Sequence, residues 1–306
     1  MADGRYLLSL TGVALLASGA FAIFQSITGH FLPHDVHALG MDAATLARTA
    51  NPKIVRFMFH DRVAFGGALI AIGSAYWWLV EFPLSAGAAW AWWTLALSGG
   101  CGFLSFLAYL GYGYLDTWHG MATLALLPVF LSGLWRARRI VAEPLSIASI
   151  WTPQPRSDHR YAALGRKLLL LCGFGLLSAG LTILVVGMTF VFVPQDLAFM
   201  GISAEKLRAL SPALVPLIAH DRAGFGGGLF SIGLLLILMM RHAPVSRSLV
   251  ELIALMGLAG FGSALGVHAA VGYTDVTHLG PAYLGCALFV AGAGLLIAGY
   301  KSERRS

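Results

Sequence analysis

His60-Asp61-Arg62-Val63-Ala64-Phe65-Gly66-Gly67 returns later in the chain as His220-Asp221-Arg222-Ala223-Gly224-Phe225-Gly226-Gly227. Two further motifs flank each copy in the same order. Phe31-Leu32-Pro33-His34-Asp35 precedes the first copy, and Phe192-Val193-Pro194-Gln195-Asp196 precedes the second. Gly113-Tyr114-Leu115-Asp116-Thr117-Trp118-His119 follows the first, and Gly272-Tyr273-Thr274-Asp275-Val276-Thr277-His278 the second. The offset drifts from 161 through 160 to 159, as single-residue gaps in loops produce. A chain that repeats itself at this period is built from two copies of one unit.

The unit belongs in a bilayer. Of 306 residues, 58% are apolar and 11% charged, against about 25% charged in a soluble domain. A span needs about 20 apolar residues. Eight segments approach that, near residues 6–28, 63–81, 88–112, 120–136, 167–193, 223–240, 249–272 and 281–300. The first could be a signal peptide, but the segment at 167–193 matches it in register, Gly12 with Gly173 and Gly19 with Gly180. It therefore reads as a permanent helix. The expected fold is all-α and integral to the membrane, with eight transmembrane helices as two parallel four-helix repeats. Residues 1–137 form the first repeat, 138–165 a cytoplasmic linker and 166–306 the second repeat. Four helices return each unit to its starting side, so the copies are related by an axis along the membrane normal.

Thirteen of the twenty lysines and arginines fall on one side of this topology, among them Arg136, Arg138, Arg139, Arg166 and Lys167. That side is expected to be cytoplasmic, with both termini on it, in a bacterial inner membrane. The net charge of +6 sits in these linkers and is no nucleic-acid signal. Cys101, Cys172 and Cys286 stand alone in apolar stretches and read as packing residues.

All three motifs fall on the extracytoplasmic side, so each unit aims two histidines at one end of its bundle. The six motif aspartates, Asp35, Asp61, Asp116, Asp196, Asp221 and Asp275, are among only fourteen acidic residues. Ionisable groups near the hydrocarbon are functional suspects, though these could equally cap helices and pair with arginines. Neutral imidazole suits iron, copper or zinc. Two histidines suffice for the axial positions of a heme and are a thin shell for zinc or copper. The expected ligands are His60 with His119, and His220 with His278. Gly66, Gly67, Gly226 and Gly227 bare one helix face, for a flat macrocycle or for another helix. Arg62 and Arg222 would reach heme propionates.

This constellation resembles the heme A synthase family, which has eight helices in two parallel bundles and a histidine at the outer start of the second and fourth helix of each. His60, His119, His220 and His278 occupy those places. The resemblance implies a heme-binding oxidoreductase scaffold, with one heme as substrate and another of b type. Asp61 or Asp221 intervenes between histidine and arginine, where the family has none. No acid stands in Arg56-Phe57-Met58-Phe59, where the family carries its catalytic glutamate, and no outer cysteine pair is present.

The halves also differ from each other. His34, His37, Tyr112 and Trp118 become Gln195, Ala198, Val271 and Thr277. The first half, richer in titratable groups, is expected to carry the chemistry, with His34, Asp35, Asp61 and Asp116 as acid–base groups. The expected function is a membrane oxidoreductase or electron-transfer protein binding one or two hemes of b or related type, with a redox partner or quinone and no nucleic acid. Two alternatives stand beside it: a transporter or channel for an ion or small polar molecule, and a membrane enzyme using a non-heme metal held by histidine and aspartate across the pseudo-twofold. Substrate and oligomeric state are not legible.

Overall fold

The computed structural model describes residues 3–107, 114, 117–142, 144–152 and 159–304. Among these there is no strand. Thirteen α-helices follow one another: α1 (Arg5–Ile27), α2 (Pro33–Leu39), α3 (Ala43–Thr49), α4 (Pro52–Leu79), α5 (Ala89–Phe106), α6 (Thr117–Ala137), α7 (Arg160–Met188), α8 (Pro194–Met200), α9 (Ala204–Leu210), α10 (Leu214–His242), α11 (Arg247–Gly257), α12 (Ser263–Val271) and α13 (Val276–Glu303). A π-helical turn at Val80–Leu84 prolongs α4, and another at Leu258–Gly262 joins α11 to α12.

Seven of the resulting helices are long and apolar enough to cross a membrane: Arg5–Ile27, Pro52–Leu84, Gly120–Ala137, Arg160–Met188, Leu214–His242, Arg247–Val271 and Val276–Glu303. The eighth expected span, 88–112, is described as a helix only over Ala89–Phe106, and 108–113 lie outside the described residues. α7 begins at Arg160 because His159 caps it, accepting from the Tyr161 backbone amide. α7 therefore begins within residues 138–165, the stretch expected to be linker.

α4 and α10 are longer than their apolar runs indicate. Asn51 caps α4, with Pro52 in its first turn, and the helix then buries Ile54, Val55, Phe57 and Met58. His60 thus lies about two turns inside the helix, not at its mouth. These two helices form the centre of the molecule. Within the apolar windows, 83% of α4 and 78% of α10 is buried, against 17–22% for the other five spans.

Glycine decides how the centre is enclosed. Gly19 of α1 meets Gly66 of α4 backbone to backbone, and Gly180 of α7 meets Gly226 of α10 in the same way. On another face, Gly67 of α4 abuts Ser263 and Ala259, while Gly227 of α10 abuts Ser105 of α5. Each central helix therefore packs on the first helix of its own half and the third helix of the other. Trp78 of α4 donates to the Ser248 hydroxyl on α11 at 3.1 Å, and Ser231 of α10 to the Ser98 carbonyl on α5 at 3.0 Å. The four motif glycines are filled by neighbouring helices, as small residues in membrane helices commonly are. The bare face expected for a macrocycle is not there.

The short helices place the acids. In α2 the Asp35 side chain turns back to accept from the Leu32 amide at 3.3 Å. In α8, Asp196 accepts from the Val193 amide at 2.8 Å. A carboxylate at the third helical position satisfies an orphan amide and lies at the positive end of the helix.

A candidate metal centre joining the two halves

Two arginines are each held between two carboxylates. Arg62 Nη1 pairs with Asp35 Oδ2 at 2.8 Å and its Nε with Asp221 Oδ2 at 2.8 Å. Arg222 Nη1 pairs with Asp196 Oδ2 at 2.7 Å, and its Nε lies 3.5 Å from Asp61 Oδ2. Arg222 also donates to the Val191 carbonyl at 2.7 Å. Both guanidiniums form ion pairs with an acid of their own half and one of the other. Tyr114 and Tyr273 complete the set, donating to Asp35 Oδ1 and Asp196 Oδ1, each at 2.8 Å.

Burial alone would push the Asp35 pKa up. The Arg62 charge, His34 and the Tyr114 hydroxyl outweigh it and hold the carboxyl well below its usual range. Burial, then the Asp196 charge, pushes the Tyr273 hydroxyl far above the ordinary phenol range, so it remains a donor.

Beside this network three imidazoles converge: His60 of α4, His268 of α12 and His278 in the first turn of α13. Each offers a ring nitrogen, all within 4.8 Å of one another. The His60 Nδ1 is bound to the Phe57 carbonyl, and the His268 Nδ1 to the Ala264 carbonyl at 2.7 Å. A ring whose Nδ1–H donates to a carbonyl presents a bare lone pair at Nε2. The Nε2 atoms of His268 and His278 stand 3.4 Å apart. His278 is set by Asp275, which caps α13 and accepts from the His278 amide at 2.9 Å. The Tyr273 ring lies against His278, centroids 4.5 Å apart and 24° from parallel.

Metal-bound histidines are as a rule oriented by a second bond from the other ring nitrogen to a carbonyl or carboxylate. Ligand bonds of about 2.0–2.1 Å in a tetrahedral shell put neighbouring nitrogens about 3.4 Å apart. His60 and His268 meet the first condition, and the His268–His278 pair, at 3.4 Å, meets the second.

The expected site residues are distributed differently from the sequence reading. His278 pairs with His60 and His268, across the halves, and His220 is not in that group. His220 lies on α10 with its ring against Tyr114, centroids 5.6 Å apart. Asp116 and the His119 side chain lie outside the described residues. His34 Nε2 stands 3.2 Å from Asp35 Oδ1, and its ring stacks on Trp118 at 6.5 Å. Arg62 and Arg222, expected at propionates, are occupied by aspartates. Asp61 Oδ1 lies 3.5 Å from the His60 Nε2.

His268 was visible in the sequence only as a lone histidine deep in an apolar helix, with Tyr109 at the matching place in the first half. Tyr114 and Tyr273 share a motif position, which was the available signal for their common role. The chain matches no family model, no curated protein and no solved structure.

Proposed function

We propose that the chain is a membrane protein of eight spans in two parallel repeats, working through a non-heme transition-metal ion held by His60, His268 and His278. The supporting observation is the convergence of three imidazoles whose ring nitrogens come within 4.8 Å of one another, two of them tied at Nδ1 to backbone carbonyls. Three protein ligands and an open position are the pattern of catalytic rather than structural sites. An ion there would supply Lewis acidity or redox change to a small substrate at the open position. Asp61, beside His60, would accept or return a proton. Asp196, through the Tyr273 hydroxyl, fixes the ring that backs His278. The network of Arg62 and Arg222 holds α4 and α10 in the register that brings the ligands together. By the distribution of basic residues, this end of the molecule is the extracytoplasmic one.

The heme reading fits these residues less well. A third imidazole crowds the axial pair, both arginines are held by carboxylates, and helices cover the glycine faces. Elemental analysis and an optical spectrum of purified protein decide between the two. About one zinc, copper or iron per chain without a Soret band is expected, from a shell of three imidazoles, and His268→Ala should lose the metal while retaining helical content. A Soret band that survives His268→Ala would overturn the reading in favour of heme.

A further inference from the structure

Over Tyr273 lies an outer groove of about 560 Å³, lined among others by Gln195, Ala198, Phe199, Tyr273, Asp275 and Thr277. Its inner wall is a stack: the Tyr273 ring lies 4.5 Å from Phe199 on one side and 4.5 Å from His278 on the other. His278 is the one member of the trio that is half-buried, the other two being buried. The groove therefore ends one aromatic ring away from the most exposed histidine of the trio.

The asymmetry between the halves falls on this groove. Gln195, Ala198 and Thr277 stand where the first half has His34, His37 and Trp118. In the first half two of these places form an aromatic stack, His34 on Trp118. In the second half the same places are bridged by one hydrogen bond, from Gln195 Nε2 to Thr277 Oγ1 at 3.1 Å. The second half thus carries smaller side chains at these places, where the first carries two rings in contact. At the open side sits Asp275, exposed, its Oδ1 accepting from the Thr277 hydroxyl and from the His278 amide.

We propose that this groove is the route by which a hydrated divalent transition-metal cation reaches His278 and then the trio, with Asp275 drawing the cation in and the Tyr273 edge closing behind it. The proposal rests on the metal reading given above. It places the working access in the second half, opposite to the half that titratable loop residues favour in the sequence.

Cobalt(II) is the probe, because its ligand-field bands report a tetrahedral imidazole shell directly. Full-length protein stripped of metal in detergent is mixed with cobalt(II) and the rise of those bands is timed. Thr277→Trp, which copies Trp118, should slow loading about tenfold, the low end of on-rate variation within one site, and reach the same final absorbance. Asp275→Asn keeps the helix cap, since asparagine caps as well as aspartate. It should slow loading a few-fold at low ionic strength and not at high, as screening removes the attraction. Should Thr277→Trp not fold, Ala198→His, which copies His37, takes its place.

Loading at the wild-type rate in both the groove-filling and the Asp275 variants overturns the route while leaving the metal site standing. Absence of any cobalt band in the wild type is a separate result: it removes the metal reading, and the route with it.

Discussion

Asp35 shows how much one buried carboxylate is asked to do. It closes the first turn of α2, accepts from Tyr114 and holds Arg62 in place. Its folded pKa lies below its unfolded value of 3.8. Its contribution to stability is therefore complete above the unfolded value and lost as pH falls from there towards the folded one. The thermal midpoint of detergent-solubilised protein should hold steady down to about pH 4 on that account and then decline. Asp35→Asn should start lower, by the roughly 3–5 kcal/mol typical of breaking a buried pair, and decline less steeply. An identical acid slope in the variant would mean that other carboxylates set it. Much of this was legible, because Asp35, Asp61, Asp196 and Asp221 all stand in repeated motifs. His268 was not, since a residue without a counterpart is invisible to a method that reads by repetition, and its bond to Ala264 is local geometry that no pattern announces.

At the scale of elements, α4 carries the argument. The sequence showed its apolar run and its glycines, but not that one glycine would face α1 and the next the far half. Gly66 and Gly67 are adjacent, so on a helix they point about 100° apart and serve two different neighbours. Gly67→Ala would drive its methyl into Ser263 and the Ala259 carbonyl, pushing α12 and its His268 away from His60. A loss of metal occupancy is expected, together with the 1–3 kcal/mol that overpacking typically costs, about the size of a lowered thermal midpoint. Gly100→Ala, on α5 with open space around it, should change neither. If Gly67→Ala retains full occupancy, the contact between α4 and α12 does not set the ligand spacing. The His119 of the expected pairing lies outside the described side chains, and among the described ones His60 meets His268 and His278 of the other half. Sequence order assigns helices to halves, whereas packing assigns them to neighbours.

In the whole molecule the two halves interlock through ion pairs, glycine contacts and the histidine trio. One histidine comes from residues 1–137 and two from 138–306. Expressed separately, neither piece should take up metal, and co-expressed from two genes they should recover it, as measured by metal content after co-purification. Wild-type metal content in the second piece alone would remove His60 from the shell. The all-helical, membrane-spanning outline could be anticipated from hydropathy, while the packing of α4 on α11 and α12 and of α10 on α5 could not, because other arrangements satisfy the same apolar pattern.

Time enters through the same interlock. Arg62 and Asp221 are 159 residues apart, and a ribosome adding about 5–20 residues per second leaves roughly ten to thirty seconds between them. Throughout that interval α4 exists with Arg62 lacking one of its two acids and Asp61 lacking Arg222. The newly inserted first half is then a partly charged, unfinished unit, and the cell's insertion machinery must shelter it until its partner arrives.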